Sequence, residues 1–111
     1  MYEPSRRIAG FRVSGFQYWD GALVLDQLKP GALLDMRPEA DNPHDPQAIA
    51  FYFDGSKIGY VPAAENEVLS VMFFYGHGDN FEARITKVDS EAEPWDQVRV
   101  GIFVKDIRNQ K

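Results

Sequence analysis

Asp54-Gly55 stands between two apolar runs, Ala48 to Phe53 and Lys57 to Val61. A two-residue Asp-Gly link takes the left-handed angles that a tight hairpin needs, and its twist matches that of the strands it joins. The two runs are therefore antiparallel neighbours, and the rest of the chain must be compatible with that pair. The hairpin also returns Gly59-Tyr60-Val61-Pro62 to the start of the first run, beside Asp41-Asn42-Pro43-His44-Asp45-Pro46-Gln47. Pro43 and Pro46 fix their own φ and bias Asn42 and Asp45 away from helix, so both side chains point in set directions. Asn and Asp in such a turn ordinarily hydrogen-bond the neighbouring backbone. The alternative is a preset binding loop.

The remaining segments extend a β pattern. Ile8 to Phe16 alternates apolar residues with Gly10, Arg12 and Ser14, which predicts a half-buried strand with Ala9, Phe11 and Val13 inward. Gly10 and Gly15 predict a bulge or sharp bend, the device by which small barrels turn corners. Leu33 to Arg37, Asn80 to Val88 and Val98 to Val104 complete a set of six strands; in the second of these Phe81, Ala83 and Ile85 face inward. A short helix is expected after Asp20-Gly21, ending at Lys29-Pro30-Gly31. A longer one follows Pro62, with Ala64, Val68, Val71, Met72 and Tyr75 on one face, stopped by Gly76 and Gly78. Tyr18, Trp19 and Trp95 are large aromatics, in a small protein more often core than exposed platform.

Six short strands in 111 residues favour closure, because closure removes exposed edges. The expected fold class is mainly β with α additions, a small OB-like or SH3-like six-stranded barrel with one or two helices. A split α+β sandwich is the alternative. One domain over residues 8–104 is expected, with polar termini at 1–7 and 105–111. A content of 44% hydrophobic and 14% aromatic residues is that of a folded chain. The absence of cysteine removes disulfides, thiolate chemistry and cysteine-bound zinc. No apolar stretch has the length of a membrane span and none follows the N-terminal arginines as a signal would, so no membrane partner and a cytoplasmic location are expected. The net charge of −5 argues against strong nonspecific nucleic-acid binding, yet Arg6, Arg7 and Arg12 near one end and Lys105, Arg108 and Lys111 near the other form one basic edge if the ends meet.

The series Val13-Ser14-Gly15-Phe16, Met36-Arg37-Pro38-Glu39, Asn42-Pro43-His44-Asp45 with Ala48-Ile49, and Ile58-Gly59-Tyr60-Val61-Pro62 before a helix resembles the HIRAN domain, over roughly Ile8 to Val104. HIRAN modules occur at the N-terminus of SNF2-type DNA-repair translocases and in bacterial proteins. The resemblance implies an OB-like barrel and recognition of a single-stranded DNA 3′ end at stalled replication forks. It places Tyr18 where an aromatic stacks on a base. It places Asn42 and Asp45 where the loop holds the terminal sugar and phosphate, with Asp45 as acceptor for the 3′ hydroxyl. His44 stands at a tyrosine position and Tyr60 at a histidine position. Gln17 replaces a phosphate-binding arginine, and Ala63 or Ala64 a lysine, so two cations are missing. Arg37 is the cation nearest the loop in sequence, and Trp95 is a second candidate stacking platform, read from its acidic loop and not from the resemblance.

Two other function classes remain. Asp41, His44 and Asp45 with His77 and Asp79 could ligate a metal for phosphodiester hydrolysis, although the spacing matches no ligand signature. Glycine loops that cradle phosphates, dinucleotide fingerprints and nucleophile motifs do not occur, so no cofactor and no enzyme are expected. A protein-interaction module is compatible with the acidic surface and a barrel edge.

Overall fold

The computed structural model describes residues 5–108, so most of the expected N-terminal polar segment and the last part of the C-terminal one lie outside the described residues. The six strands are β1 (Ser5–Arg12), β2 (Leu33–Pro38), β3 (Ile49–Phe53), β4 (Ser56–Tyr60), β5 (Phe81–Val88) and β6 (Val98–Lys105). They form one antiparallel sheet in the order β1-β6-β5-β2-β3-β4. Beyond the end of β1, Ser14 pairs with Tyr60 at the end of β4. Ser14 N–H donates to the Tyr60 carbonyl at 2.8 Å, and Tyr60 N–H donates back to the Ser14 carbonyl at 2.9 Å. The outermost strands of the sheet thus meet, and the sheet curls into the expected OB-like barrel.

The β3–β4 hairpin is formed as the sequence requires, with Phe53 opposite Ser56 and left-handed φ values of 48° at Asp54 and 86° at Gly55. β1 is shifted from the expected Ile8 to Phe16. Its register slips between Arg7 and Ala9, which places the irregularity at Ile8, two residues before Gly10. Gly15, at φ 72°, then turns the chain so that Phe16–Tyr18 forms a 3-10 turn instead of continuing the strand. Phe11 and Val13 are nevertheless buried, as alternation demands, and Ala9 packs at the core margin. Phe11, Val13, Phe51, Ile58, Ile85, Val100 and Ile102 fill the barrel, each worth about 1.5–3 kcal/mol on burial.

Two short α-helices accompany the sheet, α1 (Gly21–Val24) and α2 (Glu67–Phe74). α2 is turned away from its predicted apolar stripe. Its inward residue is Leu69, with Phe73 packed at the core margin, while Val68, Val71 and Tyr75 of the expected face are exposed. A 3-10 turn at Ala63–Glu65 separates Pro62 and Ala64 from the helix, and buried Asn66, bonded to Asp45, lies at its start. Val68, Val71 and Tyr75 keep their helical spacing, but the docked face is that of Leu69. Tyr18, Trp19 and Trp95 are exposed as well, whereas Phe16, in the same 3-10 turn as Tyr18, is part of the core.

The first and last strands are paired, with Ser5 opposite Lys105, so the condition for one basic edge is met where the described chain begins and ends. No helix among the described residues is long and apolar enough to cross a membrane.

Candidate nucleic-acid interface

The proline-stiffened loop is held from inside by its own side chains. Asn42 Oδ1 accepts from the backbone N–H of His44 at 2.8 Å and of Asp45 at 3.1 Å. Asp45 Oδ1 accepts from Gln47 N–H at 2.9 Å. These are the local turns that Asn and Asp favour, and they aim the loop. Asp45 has a second, distant partner: Asn66 Nδ2 donates to its Oδ2 at 2.8 Å. Asn66 is 1% exposed, the one buried polar or charged residue among those described. Each carboxylate oxygen has a further lone pair, so Asp45 is fixed in place while keeping acceptor capacity.

Glu39 ties the loop to the hairpin. Its Oε1 accepts from Asn42 Nδ2 at 3.1 Å and from the Tyr60 hydroxyl at 2.8 Å, and its Oε2 accepts from Lys57 Nζ at 2.7 Å. Lys57 Nζ in turn lies 4.0 Å from the Trp19 ring centroid and 4.5 Å from that of Tyr60. The two rings meet edge to face at 5.9 Å. Burial pushes the Glu39 carboxyl up, but hydrogen bonds from Lys57, Tyr60 and Asn42 outweigh it and hold the carboxyl below its ordinary range. Burial likewise opposes the charge on Lys57, yet Glu39 and Tyr60 raise it above the usual lysine value. The Tyr60 phenol is pushed up, by burial first and by Glu39. Tyr60 is therefore a neutral donor and Glu39 an anion at pH 7.

Beside this network lies a cavity of about 290 Å³ lined by Trp19, Asn42, His44, Asp45 and Tyr60, with Ser14 on its wall. Ser14 also lines a larger groove of about 650 Å³ that holds Gln17, Tyr18 and Trp95. Tyr18 is 79% exposed and Trp95 52% exposed, so both offer open ring faces. The structure thus groups Asn42, His44, Asp45 and Tyr60 in one depression and Gln17, Tyr18 and Trp95 in its neighbour. The barrel closure at Ser14 is the shared boundary. Arg37 belongs to neither. Its guanidinium lies 4.0 Å from the Tyr52 ring centroid and 3.9 Å from Asp35, on the wall of a separate depression. Nearness in sequence to the loop did not carry over, because β2 directs Arg37 elsewhere.

Sequence reasoning passed over Glu39, Lys57 and Asn66 as members of the site. Glu39 was visible as the last residue of Met36-Arg37-Pro38-Glu39, but its partners lie across the hairpin. Trp19 was visible only as the neighbour of Tyr18. The metal alternative finds no support: among the described residues, no three His, Cys, Asp or Glu side chains come together as ligands could. What the arrangement offers chemically is an acceptor-rich corner, an edge-to-face aromatic pair and an open aromatic groove.

The HIRAN domain family model matches residues 8–105. Among solved structures, a protein from Lactobacillus plantarum superposes with a TM-score of 0.76 at 18% identity, covering 90% of this chain and 94% of that one. The HIRAN domain of human HLTF superposes with a TM-score of 0.57 at 16% identity, covering 93% and 82%. The comparison with curated proteins returns no match.

Proposed function

The chain belongs to the HIRAN domain family, a family of nucleic-acid-binding modules, and from that premise we propose that it is a non-catalytic module that binds the 3′ end of single-stranded DNA, in repair or replication-fork processing in the cytoplasm. The observation that carries the reading is the cavity beside Asp45, with Asn42, His44 and Tyr60 on its walls and an exposed aromatic groove adjoining it. A terminal nucleotide presents a 3′ hydroxyl, a donor that an internal nucleotide lacks. Asp45, immobilised by Asn66 and Gln47, accepts from that hydroxyl and repels a 3′ phosphate, so charge supplies the end selectivity. Tyr18 and Trp95 stack on the preceding bases, each worth about 1–3 kcal/mol.

Fluorescence anisotropy with short single strands tests this. Strands ending in a 3′ hydroxyl bind better than those ending in a 3′ phosphate, Asp45→Ala narrows the gap, and Tyr18→Ala weakens both. Equal binding of the two ends by the wild type overturns end recognition. A protein-interaction role has one observation in its favour, the exposed apolar side of α2 at Val68, Val71, Phe74 and Tyr75. Under that reading Phe74→Ser removes partner binding and leaves the anisotropy results unchanged.

A further inference from the structure

Arg12 and Arg99 stand directly opposite each other on β1 and β6. Like charges at facing positions of neighbouring strands repel and destabilise the pairing. The one acid the structure places between them is Asp96. Its Oδ1 lies 3.7 Å from Arg12 Nε and 3.8 Å from Arg99 Nη1, near the outer limit of ion pairing for both. One oxygen thus serves two guanidiniums that are each about half exposed. Both arginines line the larger groove with Tyr18 and Trp95, as does Glu65.

We infer that Arg12 and Arg99 form a cross-strand clamp for a backbone phosphate of the bound strand, with Asp96 as the internal anion that occupies the clamp until the phosphate displaces it. The inference rests on the reading above and adds to it the source of electrostatic affinity, which Gln17 and Ala63 or Ala64 do not supply. A guanidinium matches a phosphate in two-pronged geometry, and two facing guanidiniums accept a phosphate better than a single carboxylate oxygen satisfies them. The stacked bases lie against Tyr18 and Trp95 while the phosphate turns to the arginine wall, away from Glu65. This choice is set by charge.

The test uses a 3′-hydroxyl strand, titrated at ~50 and ~200 mM salt. The clamp neutralises one phosphate charge and so contributes about a two- to threefold fall in wild-type affinity across this range. In Arg12→Gln or Arg99→Gln that contribution shrinks, and the starting affinity is lower. Asp96→Asn has opposite effects on two readouts. It binds the strand more tightly than wild type because the competing anion is gone, yet it melts at a lower temperature because the arginines repel unscreened. Glu93→Gln removes the same formal charge from the same loop and serves as the control for net charge. Three results overturn the clamp: wild-type salt dependence in both arginine variants, an Asp96→Asn affinity no higher than that of Glu93→Gln, or equal binding of an oligoglutamate peptide. Should any of these appear while wild type still prefers the 3′ hydroxyl, end recognition stands and the clamp alone fails. Absence of strand binding by wild type removes both.

Discussion

Glu39 and Asn66 each hold the loop before β3 through a side-chain hydrogen bond, and the effect of each bond is measurable. Folding lowers the Glu39 pKa, so the carboxylate contributes stability above its unfolded value near 4.5 and gives it up as pH falls through the folded value. Lys57 is the mirror case: its raised pKa means that its contribution is complete below 10.5 and is lost as pH rises through the folded value. Glu39→Gln is accordingly less stable at pH 7 and shows a shallower loss of stability between pH ~5 and ~3 than wild type, as denaturant unfolding across pH will record. An equally steep acid limb in the variant would sink this account. Asn66→Ala removes a buried donor from an ionised acceptor and costs about 1–3 kcal/mol in the same assay. It also frees Asp45 to move, so the preference for a 3′ hydroxyl narrows even at temperatures where the variant is fully folded. Glu39 was visible in the sequence as a motif residue but without its partners, and Asn66 was not visible at all. Asn66 sits among Glu65 and Glu67 and reads there as helix surface, because its burial is created by the docking of one turn against a loop distant in sequence.

At the scale of elements, the hairpin and the strand alternation were legible because their causes are local. Asp54-Gly55 needs only its own backbone angles, and Phe11, Val13, Ala83 and Ile85 need only the two-residue period of a strand. The orientation of α2 was not legible, because tertiary docking through Leu69 and Phe73, and not the spacing of Val68, Val71 and Tyr75, decides which face is buried. Barrel closure was expected in general, but the residue that permits it was not identified. Gly59 has φ 150°, and a Cβ there would stand 2.5 Å from the Ser14 carbonyl oxygen and 2.5 Å from Val13 Cγ1. A side chain at this position is refused by backbone angle and by space at once. Gly59→Ala therefore costs about 2–4 kcal/mol of stability, and because the strain falls on the Ser14–Tyr60 pairing it weakens strand binding more than Gly31→Ala does. Gly31 also has a left-handed φ but open space around it. If the two variants bind alike, the closure does not shape the interface.

For the molecule as a whole, the site is a property of topology and not of any one segment. The loop before β3, the end of β4, the turn after β1 and the turn before β6 reach one rim because β1 and β4 meet there. The motif order in the sequence signalled the family, yet it could not show that Arg12 and Arg99 share a groove with Trp95 while Arg37 does not. The pairing of distant strands decides that. A chain with net charge −5 meets a polyanion only where its few cations are gathered, and β1 beside β6 is where Arg12 and Arg99 are gathered.

The join between Ser14 and Tyr60 consists of one reciprocal pair of backbone hydrogen bonds, whereas β5 and β6 run together along most of their length. A cylinder fastened so lightly at one point loosens there first. The amide protons of Ser14 and Tyr60 should trade with deuterium well before those of Ile85 and Val100, and an oligonucleotide spanning both depressions would act as a clasp that slows the trade at that point alone.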